Sequence, residues 1–230
     1  RTNDLLQANN ELNTFIYQSS HDLRGPINTI MGLQKLLEEG TVDAENIANM
    51  LGRKVNQLEK GQRMLIHSME LRNRDLAVEP VNIRGVIQEV WDKQQGENPS
   101  IPLHLQIDQE LTFPTDAWVL NIVLENTLDN AVGFQKSKHN QWVRVAALER
   151  EGQLEITITD NGIGMTEEVK ANATQMFYRG SNLSNGNGLG LYNVKLAVEL
   201  LQGRMEFEEG VEGGTTVRLS FPGIDSKLNL

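Results

Sequence analysis

The fold of this chain is decided by residues 154–164, Leu154-Glu155-Ile156-Thr157-Ile158-Thr159-Asp160-Asn161-Gly162-Ile163-Gly164. In the first half apolar and polar residues alternate, which predicts a β-strand with one face in a core and the other in water. The alternation stops at an aspartate that is followed by two glycines. Glycine permits tight turns and lets the backbone approach a ligand closely. The stretch therefore predicts a sheet in which one strand end opens into a turn or a binding loop.

A similar mixture of short strands and helices extends over residues 81–224, which we predict to form one α/β sandwich domain. Helices are predicted over 82–95, 115–134 and 189–202, and strands near 103–108, 142–149, 153–159, 204–208 and 214–221. The Glu79-Pro80 dipeptide is expected to mark the domain boundary, because a residue before proline avoids the helical region. An Asn-, Ser- and Gly-rich stretch at 170–188 has little periodicity and predicts a mobile loop.

Residues 1–77 have a different pattern, in which apolar residues recur every seven positions. This spacing predicts two helices with coiled-coil-like seams, a stop at Gly40, and Asp43 or Thr41 as the N-cap of the second helix. The predicted seams run through Leu5, Leu12, Ser19, Pro26 and Leu33; Ile16, Leu23, Ile30 and Leu37; Ala44, Leu51, Leu58 and Leu65; and Val55, Gln62, Met69 and Leu76. Because the first seam begins without a preceding cap, we expect its helix to continue upstream of Arg1.

Two helices cannot cover both seams on themselves, so the hairpin is expected to dimerise into a four-helix bundle. The expected fold class is thus multidomain, α and α+β. A dimerising helical hairpin over residues 1–77 is followed by the α/β sandwich over residues 81–224.

The composition narrows the possible partners. The chain has 21 Lys and Arg against 31 Asp and Glu, a formal net charge of −10, and no dense basic run, so no nucleic-acid partner is expected. It has no cysteine, which excludes disulfides, thiolate metal sites and a cysteine nucleophile. No stretch approaches the roughly 18 apolar residues of a membrane span. We expect a cytoplasmic location and no membrane contact for these residues. This expectation leaves open membrane attachment of the full-length protein through other parts.

Two further features have the residue types of a phosphate or metal site. Gly186-Asn187-Gly188-Leu189-Gly190 leads into a helical pattern whose N-terminus would favour an anion. A glycine cluster alone is more often a turn, and neither the P-loop lysine nor a dinucleotide fingerprint is present. Asn126 and Asn130 lie one turn apart on one predicted helix face. Amide oxygens suit Mg²⁺, which takes few protein ligands and several phosphate oxygens, although two asparagines also fit a solvated face.

Six motifs in this sequence resemble, in order, those of the sensor histidine kinases. Ser20-His21-Asp22-Leu23-Arg24-Gly25-Pro26 resembles the phosphoacceptor box, residues 126–131 the asparagine box, residues 160–164 the first glycine box, Phe177-Tyr178-Arg179 the phenylalanine box, residues 186–190 the second glycine box, and Gly214-Thr215 the small last motif. Each motif is weak alone, but their shared order and spacing extend over nearly the whole chain.

The resemblance implies a protein-histidine kinase that uses ATP and Mg²⁺. His21 would accept the γ-phosphoryl of ATP and pass it to an aspartate of a response-regulator receiver domain, with Asp22 accepting the histidine proton. The heptad pattern places His21 on the outward side of its helix. Asp160 would bind the adenine amino group, and the stretch 170–188 would close over the nucleotide as a lid. The implied nucleotide-binding residues are Asn126, Asn130, Phe134, Asp160, Gly162, Gly164, Gly186, Gly188, Leu189, Gly190 and Thr215, with Asn130 as the metal ligand; Phe134 fits a core position equally well.

Three departures from the family pattern leave alternatives open. Gly25 stands four residues after His21, where members that dephosphorylate their partner carry Thr, Asn or Gln, so weak dephosphorylation is expected. Gly133 replaces a basic residue, and Thr174 replaces an aromatic residue at the start of the phenylalanine box. These two changes favour, as the alternative, a catalytically weak, dimeric, nucleotide-binding signalling scaffold. A hydrolytic ATPase of the same fold is disfavoured by Asn126, since such enzymes carry a glutamate there to activate water.

Overall fold

The computed structural model describes residues 2–40, 43–95, 101–136, 140–180 and 186–223. The chain divides into two compact units, residues 1–66 and 67–230. The helices are α1 (Thr2–Glu38), α2 (Ala44–Asn73), α3 (Ile83–Gln95), α4 (Ala117–Gly133), α5 (Glu167–Asn172) and α6 (Gly190–Leu200). The strands are β1 (Val78–Asn82), β2 (Leu103–Ile107), β3 (Thr112–Asp116), β4 (Val143–Arg150), β5 (Gln153–Asp160), β6 (Arg204–Glu209) and β7 (Thr215–Pro222), with a short 3-10 turn at Val211–Gly213. The domain limits 1–77 and 81–224 stay predictions.

The first unit contains α1 and most of α2, as the heptad pattern predicts. Asp43 is the N-cap of α2, with its carboxylate accepting the Asn46 amide at 3.4 Å; the alternative cap, Thr41, lies outside the described residues. Leu33 and Ile47, on either side of the connection, are buried. Farther from it, large apolar side chains of both helices are exposed: Ile27, Met31, Met50 and Val55. Of the predicted seam residues, Leu37 and Val55 are exposed, so a chain by itself leaves part of its seams uncovered, and Ile27, Met31 and Met50 add apolar surface beside them.

The end of α2 differs from the prediction. The heptad pattern continues the helix to Leu76, whereas α2 ends at Asn73. The physical reason lies in the second unit, where the buried carboxylate of Asp116 accepts the Ala77 amide at 2.8 Å. In a continuing helix that amide would instead bond the carbonyl of residue 73. The interaction with Asp116 therefore ends the helix, in spite of the apolar spacing.

The second unit is built on a mixed five-stranded sheet in the order β2-β4-β5-β7-β6. Strand β2 is parallel to β4, and the other pairs are antiparallel. The alternating residues Leu154, Ile156 and Ile158 are buried and lie opposite Phe221, Leu219 and Val217 of β7. These cross-strand apolar pairs form the centre of the core, each contributing roughly 0.2–1 kcal/mol relative to alanine pairs. The prediction of a half-buried strand is confirmed.

Helices α3, α4 and α6 pack together over the apolar face of this sheet, which gives the two layers of an α/β sandwich. Helix α4 is buried along most of its length, and its start is fixed by Asp116, whose carboxylate accepts the amides of Trp118 and Val119. The predicted helices 82–95, 115–134 and 189–202 correspond to α3, α4 and α6. The predicted strands correspond to β2 and β4–β7. No helix within the described ranges has both the length and the apolar character needed to cross a bilayer.

Two regions differ from the sequence-based expectation. Pro80, read as a boundary, lies inside β1, which pairs antiparallel with β3 so that Pro80 faces Pro114. Two prolines without amide hydrogens fit only a non-hydrogen-bonded position of an antiparallel pair. The start of the predicted loop 170–188 is ordered as the end of α5, because Thr166 caps that helix by accepting the Val169 amide. The loop's centre, residues 181–185, lies outside the described residues.

Candidate functional site

Asp160 lies at the end of β5 and is 6% exposed. Its Oδ1 accepts the backbone amides of Gly162 at 2.7 Å and Thr215 at 3.2 Å. Within the described part of the chain, its Oδ2 has no hydrogen-bond partner. Burial raises the pKa of Asp160 above its usual value, and the two amides and the nearby Lys136 offset this only in part. A buried carboxylate is thus held rigidly by one oxygen, while the other remains available to a donor.

The loops around Asp160 approach one another so closely that only glycine fits. A Cβ on Gly162 would lie 2.3 Å from the carbonyl oxygen of Phe134, at the end of α4. A Cβ on Gly164, whose φ is +73°, would lie 2.5 Å from the backbone carbonyl oxygen of Gly213. A Cβ on Gly214 would lie 2.0 Å from the backbone carbonyl oxygen of Asp160. The first glycine box, the end of α4 and the start of β7 therefore meet around one carboxylate.

The second glycine box forms the opposite end of the site. Gly188, with a φ of +73°, accepts the Phe177 amide at 3.0 Å, and a Cβ there would lie 2.5 Å from the Phe177 carbonyl carbon. The phenylalanine box and the second glycine box are thus directly joined. Leu189 is fully buried and anchors the start of α6, while Gly186 is exposed. No side chain caps the N-terminus of α6, so its first amides point out of the helix without a side-chain acceptor.

Asn126 and Asn130 lie on α4 one turn apart, as predicted. Asn126 is buried and donates through Nδ2 to the Ile122 carbonyl at 2.8 Å, while its buried Oδ1 has no hydrogen-bond partner. That oxygen lies 3.2 Å from where a Cβ of Gly190 would be, at the first residue of α6. The buried Nδ2 of Asn130 is also unsatisfied. The Asn126 oxygen beside the start of α6 and the Asn130 amide one turn along α4 are therefore groups that a polar ligand would satisfy, since a buried polar atom normally has a partner.

The remaining candidate residues are placed as follows. Phe134 ends α4 half-buried, and its carbonyl accepts the Ile163 amide at 2.9 Å. Thr215 is buried and contributes its amide to Asp160. His21 is exposed on α1 in the first unit, in agreement with the heptad pattern. Asp22 follows it in the same helix, but its side chain is outside the described part of the structure. The structure therefore brings together the glycine, asparagine and aspartate candidates within the second unit.

Two residues that shape this site were given no role in it by sequence reasoning. Asp116 fixes the start of α4, and therefore the helix that carries both asparagines, through a carboxylate that is 1% exposed. An aspartate before an apolar helix is an N-cap signal that could have found it. Lys136, two residues after Phe134, donates to the Glu212 carbonyl at 2.8 Å. No local signal distinguishes that lysine from a solvated one, because its partner is 76 residues away.

Comparison with known proteins agrees with this geometry. Residues 115–224 match the family "Histidine kinase-, DNA gyrase B-, and HSP90-like ATPase". The chain is 28% identical over 229 residues to the autoinducer 2 sensor kinase/phosphatase LuxQ of Vibrio vulnificus, covering 90% of this chain and 26% of LuxQ. The curated relatives that it matches are longer, and it spans from 26% to 49% of their lengths.

Solved structures show the same fold. The histidine kinase AdeS of Acinetobacter baumannii superposes with a TM-score of 0.74 at 18% identity, covering 89% of this chain and 98% of that one. The histidine kinase ThkA, in complex with the response regulator protein TrrA, gives a TM-score of 0.75 at 19% identity over 99% of this chain and 65% of that one. The sandwich with its glycine-lined site is thus an ATP-binding domain of the class shared by histidine kinases, DNA gyrase B and HSP90. The chain as a whole is similar, at 28% identity, to LuxQ over 90% of its length and to the sensor histidine kinase YvrG of Bacillus subtilis over 96% of its length.

Proposed function

We propose that this chain is a kinase core that binds Mg-ATP in its second unit and transfers the γ-phosphoryl group to His21. The observation that carries the proposal is Asp160, a buried carboxylate with one oxygen fixed by two amides and the other free to accept the adenine amino group. An acceptor of this kind selects a purine with an amino group at that position over one with a carbonyl, because two acceptors would face each other in the second case.

The phosphate side of the proposed site is supported by α6 and the asparagines. The amides at the start of α6 and of the second glycine box would bind phosphate oxygens, as helix N-termini do. The amide oxygens of Asn126 and Asn130 fit Mg²⁺, which prefers oxygen ligands and keeps phosphate oxygens in its coordination shell. Asn130 would be the ligand, and Asn126 would support the metal or the phosphates. The ion would neutralise charge on the transferring phosphoryl group.

The chemical step is a displacement at the γ-phosphorus. A ring nitrogen of His21 donates its electron pair and forms a P–N bond, while the bond from phosphorus to the β,γ-bridging oxygen breaks and ADP leaves with that electron pair. Asp22, the next residue, would take the proton from the other ring nitrogen. Asn126, at the position where hydrolytic ATPases of the same fold carry a glutamate, suits this reaction, since an amide does not activate water and spares ATP for histidine.

The phosphoramidate at His21 is a high-energy bond, suited to onward transfer to a carboxylate of a response-regulator receiver domain. The complex of the structural relative ThkA with a response regulator supports this partner. A homodimer is supported by the exposed apolar side chains of the first unit, such as Met31 and Val55. Val55→Glu should shift the chain from dimer to monomer in analytical ultracentrifugation. An unchanged dimer would contradict the proposed use of the α2 seam.

Incubation of the full chain with γ-labelled ATP and Mg²⁺ tests the kinase proposal. Label that is stable in alkali, labile in acid, absent from His21→Gln and retained in His104→Gln is expected, since His104 is an exposed histidine on β2. Nucleotide binding without label would instead support the weak scaffold. Steady release of phosphate that does not depend on His21 would support a hydrolytic ATPase.

A further inference from the structure

Lys136 connects the segment after α4 to the Val211–Gly213 turn, and both lie next to the residues that hold the carboxylate of Asp160. It is the first basic residue after α4, and its Nζ donates to the carbonyl of Glu212 at 2.8 Å. Two residues earlier, the carbonyl of Phe134 accepts the Ile163 amide at 2.9 Å. The segment after α4 is therefore bonded to the first glycine box by its backbone and to the Val211–Gly213 turn by the Lys136 side chain.

The turn that Lys136 contacts needs support from outside. Glu212 has a φ of +64°, a left-handed conformation that is strained for a non-glycine residue. The turn is closed by the Gly213 amide on the Gly210 carbonyl at 3.2 Å and by the Gly210 amide on the Gly214 carbonyl at 2.8 Å. Immediately after it, the amide of Thr215 donates to Asp160 Oδ1. The position of the turn therefore determines how well one of the two amides that orient Asp160 is placed.

Lys136 also places a positive charge near this carboxylate. Burial dominates and raises the pKa of Asp160, but the Lys136 ammonium acts in the opposite direction and favours the ionised form. Helix α4 has no basic residue in its last turn, and residue 133 is a glycine. Among the described residues, Lys136 is thus a cation that acts on Asp160 through its charge, while its ammonium is bonded to the turn.

We propose that Lys136 is a positioning residue for adenine recognition, which holds the Val211–Gly213 turn and the Thr215 amide so that Asp160 presents its free oxygen. The inference rests on the proposed nucleotide site and assigns Lys136 to the adenine side of that site. It differs from a phosphate-binding role, in which the lysine would contact the ligand itself.

A series of ligands with increasing numbers of phosphates separates these two roles. Dissociation constants for adenosine, AMP, ADP and ATP would be measured by calorimetry, with Mg²⁺, for the wild-type chain, Lys136→Met, Lys136→Arg and the control Lys195→Met. Lys195 is an exposed α6 lysine whose partner among the described residues is Glu199, one turn along the same helix. For Lys136→Met we expect binding of all four ligands to weaken by the same factor, about fivefold. The variant loses the exposed hydrogen bond from Lys136 to the Glu212 carbonyl, and this loss affects recognition of the adenine that all four ligands share. Lys136→Arg should restore most of the affinity.

A second readout needs no nucleotide. Amide hydrogen exchange at Gly213 and Thr215 should be about fivefold faster in Lys136→Met, while the urea midpoint of the whole chain stays at the wild-type value. Weakening that grows with the number of phosphates, or unchanged affinity and exchange in Lys136→Met, would overturn the inference and leave the nucleotide site intact. A wild-type chain that binds none of the four ligands would overturn the proposed function together with this inference.

Discussion

Asp160→Asn should separate nucleotide binding from folding stability. In the wild-type chain Oδ1 is occupied by the amides of Gly162 and Thr215, so Oδ2 is the atom left for a ligand. In the variant the amide oxygen is expected to take the same two donors, because they require an acceptor. The NH₂ group then replaces Oδ2 and presents a donor to the donor on adenine. Binding should weaken even though the backbone around the site is unchanged.

The size of the effect follows from the contact that is lost. A hydrogen bond to a charged acceptor contributes about 1.5–3 kcal/mol, which corresponds to roughly 10- to 100-fold weaker binding of ADP. The effect on stability has the opposite sign. Because burial raises the pKa of Asp160, the folded state disfavours its ionised form, and stability is lost as the pH rises from 3.8 through that raised pKa. The asparagine of Asp160→Asn does not ionise, so the variant does not lose stability in this way as the pH rises. Its free energy of unfolding near neutral pH should equal or exceed that of the wild type.

The assay combines calorimetric titration with ADP and urea unfolding at a series of pH values from 4 to 8. Asp92→Asn is the matched control, since Asp92 is an exposed α3 carboxylate whose hydrogen-bond donor among the described residues is Gln88. Unchanged ADP affinity in Asp160→Asn would refute the role of Asp160 as the adenine acceptor. Lost affinity accompanied by a large drop in stability would refute the idea that an amide preserves the loop.

Other perturbations have equally definite outcomes. Asp116→Ala should lower the free energy of unfolding by about 2–3 kcal/mol, measured with urea, since it removes the cap of α4 and the acceptor of the Ala77 amide. Burial acts to raise the pKa of Asp116, but the amides of Ala77 and Val119 and the Arg74 guanidinium bring that pKa below 3.8. The difference in free energy of unfolding between wild type and variant should therefore be complete above pH 3.8 and disappear as the pH falls through the lowered pKa. Gly188→Ala should weaken ADP binding in calorimetry at least tenfold, because its Cβ would lie 2.5 Å from the Phe177 carbonyl carbon at a φ of +73°; wild-type affinity would contradict the close approach. Gly25→Thr should fold normally, since a Cβ at this position would meet no atom within 4 Å other than its chain neighbours and its own helix backbone, and it should accelerate phosphate loss from a phosphorylated receiver domain. Equal rates in the two chains would contradict the expectation that Gly25 limits dephosphorylation.

Periodicity was sufficient to predict the elements that carry the core. Strand β5 combines a regular alternation with an unambiguous end at Asp160, and α4 and α6 are long apolar segments next to polar motifs. For these elements the local preference and the tertiary environment agree, which is the condition under which sequence patterns are informative. The motifs at their ends indicated where the site lies, since glycines that allow close approach and paired asparagines are visible without a structure.

The missed elements are those in which local signals conflict with the tertiary structure. Strands β1 and β3 each contain a proline, which disfavours a strand reading, and only their pairing places Pro80 opposite Pro114. Helix α5 has six residues, too few to show a helical period, next to a stretch rich in asparagine and glycine. The spacing that continues to Leu76 is a real apolar pattern, but a single interaction in the folded chain overrides it.

That interaction also joins the segment before β1 to the rest of the second unit. Asp116 uses one carboxylate oxygen for the first amides of α4 and the other for the Ala77 amide, and Arg74 pairs with it at 3.1 Å while stacking on Trp118. The segment 67–77 is also bonded to α6, where Ser68 donates to the buried Asn193. The sequence pattern alone assigns segment 67–77 to the helical region, because its partners Asp116 and Asn193 are distant in sequence. In the folded chain this segment contacts α4, which carries the asparagine box, and α6, which follows the second glycine box. The packing of the proposed nucleotide site therefore depends on a segment that precedes Pro80.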